Sequence, residues 1–539
     1  MKSSHLLVTL MCLSSSLSFA QEVRAVSEPN KTIYPYKPFS TELIQQRMKR
    51  LMEGHDYIAN IHDMHARGLT RANTEVQPWG GSFWPVYQGG IANRYQQKDN
   101  NTYVFTLLKN TTYQANVREF KNKSLKDHAK IYDLEEEKLA KLSPSEKYDL
   151  LLGDTTFNLT NRVWEFVENR GEDKDYDYLA YLEAPAGYKR LEPKNFIAFW
   201  EGICHGWALG SGITPRPENT VNFTLPNGKK LPFFPNDIKA LASQMWANSD
   251  VQNHSINEGG RCNDNSPSKD KYGRFIDTKI DPQDHGVLKP NCADVHPAIF
   301  HTFVVNYLGI EGKSFVYDHN PEAPIANQPI SGYEFSYFNP LTGKDGTLAG
   351  SMVSRANFSS DPFAVSRNPE ATHIVGIEMN AKYVNWETAS KKPSNSTTDD
   401  EVVDNKFIYD LEINKTGEIV GGQWRVNKDD KKANIFDKSV NQPDYFWIVP
   451  RNWKTFFPED TNVPAWTGRG LPPVEYKNAA MAGHYFKQNS DSKLGGANKC
   501  VVVPIDGNGP SMRVHCGYNI PRPRPMINVV NKLIELSRN

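Results

Sequence analysis

The chain has 539 residues, in which 62 Lys and Arg balance 62 Asp and Glu. That length is enough for two or three domains, and a formal net charge of zero leaves no global field to attract nucleic acid or a membrane surface. Aromatic residues at 11% and apolar residues at 38% are the proportions of a folded chain, which excludes wholesale disorder.

The first twenty residues read as a signal peptide. Lys2 supplies the positive start, Leu6 to Leu13 the apolar stretch, and Ser18-Phe19-Ala20 a cleavage site. No later segment reaches about 18 apolar residues, so no transmembrane span is expected. The mature chain is expected to begin near Gln21 and to be secreted or extracytoplasmic, in periplasm, cell wall or medium. Pro29, Pro35 and Pro38 then mark an extended leader. A short helix is expected from Thr41 to Glu53, and helix formers fill 126–152. Ser143-Pro144-Ser145-Glu146 carries an N-cap, a proline at the first helical position and a glutamate three after the cap. A further helix is expected from Asn236 through Met245, and 248–292 reads as loop.

From Phe300 the pattern turns to strands: Phe300 to Leu308, Phe315 to Tyr317, Tyr333 to Phe338 and His373 to Met379. A polar stretch from Ala389 to Asp404 reads as linker or exposed loop, and the remainder as strand and turn, with Gly421-Gly422-Gln423-Trp424 read as a turn beside a core tryptophan. Helices first and antiparallel strands later is the α+β layout. Four segments are expected: signal peptide 1–20, N-terminal extension 21–125, catalytic domain 126–388 and β-rich region 389–539.

Chemistry concentrates at cysteine. Of six cysteines, Cys12 falls in the signal peptide, and Cys204, Cys262, Cys292, Cys500 and Cys516 remain. An odd count in an oxidising compartment leaves at least one thiol outside intramolecular disulfides. Proximity suggests the pairs Cys262–Cys292 and Cys500–Cys516, with Cys204 free. In Trp200-Glu-Gly-Ile-Cys204-His-Gly-Trp207-Ala208, Gly202 allows a sharp approach and helix-compatible residues follow the cysteine. A cysteine opening a helix has a dipole and free N–H groups to stabilise its thiolate. The alternative is a buried structural cysteine. Trp200 and Trp207 could wall such a site or simply lie in the core.

A thiol nucleophile needs a base and the base an orienting partner. If Phe300 to Leu308 and Ser314 to Asp318 form a hairpin, His301 lies across from Asp318 on one sheet face. His296 is the rival base, and His319 would face the other side of the strand. The order Cys204, His301, Asp318 is that of papain-like and transglutaminase-like triads. Asp264 to Asp270 and Asp399-Asp400-Glu401 are oxygen-rich but lack EF-hand spacing, so no cofactor is certain and Ca²⁺ is open.

The segments Trp200 to Ala208, Phe300-His301 to Asp318, and Asn327-Gln-Pro-Ile-Ser-Gly-Tyr333 resemble the transglutaminase elicitor family, known from oomycete cell-wall proteins with bacterial relatives. Leu142 to Gly153 resembles it as well. The resemblance implies a papain/transglutaminase-like core, with a nucleophile-bearing helix against an antiparallel sheet. It implies protein-glutamine γ-glutamyltransferase activity, with Cys204 as nucleophile, His301 as base and Asp318 as its orienter. The partners would be proteins with accessible glutamine and lysine side chains. The third segment resembles the family's surface elicitor peptide, except that Ala326 stands where that peptide has tryptophan. Two other readings stay open: a papain-like peptidase or glutamine deamidase using the same triad, and a non-enzymatic wall or adhesion protein.

Overall fold

The computed structural model describes residues 39–95, 121–122, 124–170, 201–260, 295–318, 325–364, 366–425, 442–455, 459, 463–481, 486–487, 500–504, 512–516, 522–523 and 525–539. The expected signal peptide, the leader up to 38, Trp200, Cys262, Cys292, the loop 264–270 and His319 lie outside the described residues.

Helix starts follow the local signals. Helix α1 (Thr41–Leu51) is capped by Ser40, which accepts from Leu43 N at 3.2 Å, and it buries Ile44, Met48 and Leu51 along one face. Helix α2 (Pro144–Leu151) has the complete capping box of Ser143 and Glu146. Every residue of α2 is buried, so its charges have partners. Arg94 meets Glu146 at 2.5 Å, and Lys147 meets Asp237 at 2.6 Å. Helices α3 (Cys204–Ile213), α4 (Pro235–Ala247), α5 (Pro297–Phe303) and α6 (Met526–Ser537) complete the set used below.

The centre is a ten-stranded antiparallel sheet. Its strands are β1 (Arg71–Asn73), β4 (Ile256–Gly259), β5 (Val316–Asp318), β6 (Asn327–Phe338), β7 (Asp345–Gly346), β8 (Val353–Ser354), β9 (His373–Val384), β10 (Val402–Ile413), β11 (Ile419–Trp424) and β12 (Tyr445–Ile448). The main order is β11-β10-β9-β6-β5-β12-β4, with β1 and β7 on β6 and β8 on β9. A hairpin, β2 (Val221–Thr224) with β3 (Lys230–Phe233), stands apart. So do two short ladders, β13 (Phe486–Lys487) with β16 (Arg522–Pro523) and β14 (Cys500–Pro504) with β15 (Met512–Cys516).

The two faces of the sheet carry different cores. Successive strand residues point to opposite faces, and they divide accordingly. Val316, Trp447 and Val449 join the cluster that holds α3, α4 and α6, whereas Tyr317, Phe446 and Ile448 join the cluster that holds α1 and α5. Packing crosses the boundaries expected at 125 and 388: β1 pairs with β6, and β10, β11 and β12 belong to the same sheet.

Three expectations change. Phe300 to Leu308 is not a strand but the end of α5 running into a π-helical turn, Val304–Leu308. His296 caps α5, its Nδ1 accepting from Ala298 N at 3.3 Å, and Pro297 takes the first helical position. Gly421 to Trp424 is a buried strand rather than a turn. The stretch expected to be linker is already strand from Val402.

The β14–β15 register sets Cys500 directly opposite Cys516. Directly opposed residues have Cα atoms about 4.5–5.5 Å apart, within disulfide range. Non-reducing peptide mapping is expected to recover the two cysteines in one linked peptide; two separately alkylated peptides would refute the pairing.

Candidate functional site: a thiol at a helix start

Cys204 opens α3 as a free, partly exposed thiol. The turn that delivers it is held from the N-terminal extension. Ile203 N donates to Phe83 O at 2.8 Å, and Val86 N donates to Glu201 O at 2.9 Å. A Cβ on Gly202 would lie 2.2 Å from Phe83 O, so only glycine allows that approach. Behind the thiol, Gly206 and Gly210 let α3 sit directly on α4. A Cβ on Gly206 would meet Ser243 O at 2.2 Å, and one on Gly210 would meet Trp246 at 2.6 Å. Each interior glycine costs a helix about 1 kcal/mol, and here the return is close helix packing.

The far wall of the site is the sheet. β5 and β6 pair Asp318 with Asn327. Asn327 Nδ2 lies 3.5 Å from Cys204 Sγ, and Asn327 Oδ1 accepts from the Tyr445 hydroxyl at 3.2 Å and from Trp447 Nε1 at 3.3 Å. Asp318 Oδ1 accepts from Ala326 N at 3.1 Å, and its side chain is fully buried. Trp447 also lines a cleft of about 300 Å³ running along α3 between Ala208, Gly212, Val316 and Trp453.

The thiol feels opposing influences. Burial pushes it up from its ordinary value, and the Asp318 charge adds to that; the Asn327 side-chain amide and the backbone N–H groups of Asn327 and His205 pull it down. Burial wins. The resting sulfur is therefore a thiol at neutral pH, and the helix start alone does not supply the thiolate expected from sequence.

The structure brings Asp318 to Cys204 but not His301. His301 lies in α5, on the other face of the sheet. Its Nδ1 is 2.8 Å from the Tyr409 hydroxyl, and its ring sits 4.8 Å from that of Phe335. Tyr409 and Phe335 belong to the second core, whereas Cys204 packs against the first. Phe335 is eight positions along β6 from Asn327, about 26 Å of extended strand. The hairpin that was expected to join His301 to Asp318 does not form, because 297–308 is helical. Burial holds the pKa of His301 at about 3 and that of His296 at about 3. His205 follows Cys204 on α3, and burial lowers it to about 4.

Trp207 is core: it is buried, and its Nε1 donates to Trp79 O at 3.2 Å. The loop 399–401 is committed to protein partners. Asp400 takes Arg216 at 2.5 Å and Gly80 N at 2.8 Å, Asp399 takes Ser396 N at 2.8 Å, and Glu401 takes Asn385 at 2.8 Å. Among the described residues, no group of three or more His, Cys, Asp or Glu could hold a metal ion, and no helix is long and apolar enough to cross a membrane.

Sequence reasoning missed Asn327, Tyr445 and Trp447. Asn327 begins the segment that resembles the elicitor peptide, which was expected at the surface. It forms β6 instead, where only Glu334 and Ser336 are exposed. No local pattern ties Tyr445 and Trp447 to a cysteine some 240 positions earlier; only β12 pairing with β5 does so.

Residues 188–452 match the transglutaminase elicitor family. None of the curated proteins matches the chain. Among solved structures, the GP42 transglutaminase from Phytophthora sojae is similar at 17% identity with a TM-score of 0.48, over 81% of this chain and 98% of that one. The stretch 188–452, which carries Cys204, Asp318 and Asn327, is thus the part of this chain that is similar to the transglutaminase elicitor family.

Proposed function

We propose that this chain is a secreted transglutaminase that crosslinks proteins through a Cys204 thioester. The observation that carries the reading is a free, partly exposed thiol at the first residue of a helix, with a carboxylate and an amide donor brought to it by the sheet. A nucleophile-bearing helix packed on an antiparallel sheet is the arrangement of a papain/transglutaminase-like core. The similarity of residues 188–452 to the transglutaminase elicitor family supports glutamine as acyl donor.

The Cys204 sulfur, once deprotonated, attacks the γ-carboxamide carbon of a protein glutamine. The C–N bond breaks, and ammonia leaves with a proton from the enzyme's acid. A lysine ε-amine then attacks the thioester, gives up a proton to the same group, and releases the sulfur. Because the resting thiol is protonated, a base has to take its proton. His301 is on the wrong face for this.

The test is incorporation of a primary-amine probe into a glutamine peptide. Cys204→Ala is expected to remove incorporation to background and leave the fold intact, while His301→Gln, on the far face of the sheet, retains turnover. Incorporation that survives Cys204→Ala would overturn the reading. Ammonia release without incorporation would make the chain a deamidase, and backbone cleavage a peptidase.

A further inference from the structure

We infer that Asn327 is a catalytic residue of the Cys204 site, an amide locked in one orientation so that its N–H bonds the sulfur as charge develops there. The inference rests on Cys204 being the nucleophile, and its test reads the sulfur directly rather than the reaction.

The orientation follows from donor chemistry. Indole Nε1 can only donate. Trp447 Nε1 points at one end of the Asn327 side chain at 3.3 Å, so that end is Oδ1 and the other is the NH₂ group. The Tyr445 hydroxyl donates to the same oxygen at 3.2 Å. With Oδ1 occupied by two donors, Nδ2 is turned to Cys204 Sγ at 3.5 Å. A neutral thiol is a weak acceptor, whereas a thiolate accepts a charge-assisted bond. The contact therefore strengthens when the proton leaves and is strongest in the states that react.

The surroundings make such a donor necessary. Asp318 occupies the ladder position directly opposite Asn327, and its charge opposes a second negative charge on sulfur. Burial opposes it too. The Asn327 amide and backbone are two of the influences acting the other way. Tyr445 is half-buried and Trp447 is buried, and both come from β12, so the lock is built on a strand rather than a loop.

The experiment measures the rate of Cys204 alkylation by iodoacetamide against pH in the full chain, with amine incorporation measured in parallel. Asn327→Asp keeps the shape but replaces the donor with an acceptor. Its alkylation rate at pH 7 is expected to fall at least about tenfold, the profile moving to higher pH, as loss of a hydrogen bond to a charged group implies. The double variant Tyr445→Phe and Trp447→Phe leaves Asn327 in place but frees its amide to rotate. It is expected to shift the profile in the same direction by less, and it carries the test if Asn327→Asp fails to fold. A wild-type alkylation profile in a folded Asn327→Asp, or in the folded double variant, overturns the inference. A shifted profile in a chain that never incorporates amine supports it while removing the transglutaminase reading.

Discussion

On acidification from pH 7 to pH 5, the stability advantage of the wild-type chain over His301→Gln is expected to shrink by about 2 kcal/mol. His301 is fully buried, and burial holds it neutral down to about pH 3. The unfolded chain protonates it near its ordinary value of about 6.5. Between those values the unfolded state binds the extra proton, so stability rises with pH. The contribution is fully present above about pH 6.5 and is lost as pH falls toward 3. Gln at 301 can still meet the Tyr409 hydroxyl but does not titrate. His296 and His205, depressed to about 3 and about 4, act in the same direction. So does Glu146, held down to about 2 by His128 and Arg94 against its burial, over the range from 4.5 downward. Asp149 and Glu412, pushed up by burial, act the other way, which is why the difference between variants is the quantity to measure. Urea midpoints at pH 7, 6 and 5 for both chains provide it; parallel midpoints at all three pH values would refute the account.

Arg367→Met is expected to destabilise the chain by about 3–5 kcal/mol, the cost of stranding a buried charge. Arg367 is buried under β10, bonding Asp361 at 2.9 Å, Asp410 at 2.6 Å and Glu412 at 3.2 Å. Arg425 also reaches Asp410, at 2.5 Å. The three carboxylates hold the Arg367 guanidinium far above its usual range despite burial. Without it, Arg425 is the remaining cation of the group. The double variant Arg367→Met with Asp410→Asn is expected to recover part of the loss, since removing both members of a buried pair is cheaper than removing one. Chemical denaturation of the single and double variants checks both; a single-variant loss under about 1 kcal/mol would show that the cluster is hydrated.

What was legible in the sequence had a short-range cause. Ser40, Ser143 and the proline-led start of α4 announce their helices within four residues. The β9 and β10 strands show in their β-branched and aromatic runs. Cys204 stood out because its neighbours are glycine-rich and the cysteines beyond the expected signal peptide are odd in number. The segment 300–308 was misread because it is buried on all sides. An apolar run with no polar face has no period to read, and its β-branched residues favour strand by composition alone. His296-Pro297, a cap and a first-turn proline, was the signal that could have decided for helix. The correct neighbour of Asp318 was hidden for a different reason. Asn327 faces it across a ladder, Tyr445 and Trp447 arrive from β12, and pairing between distant strands leaves no trace at any fixed spacing.

The burial of β6 also governs how antibodies would see this protein. A serum raised against the free peptide 327–338 meets a segment in which the folded chain offers only Glu334 and Ser336 to solvent. Native protein should go unrecognised while the denatured or cleaved chain binds, so that the segment serves as an immunological gauge of whether the Cys204 site is still assembled.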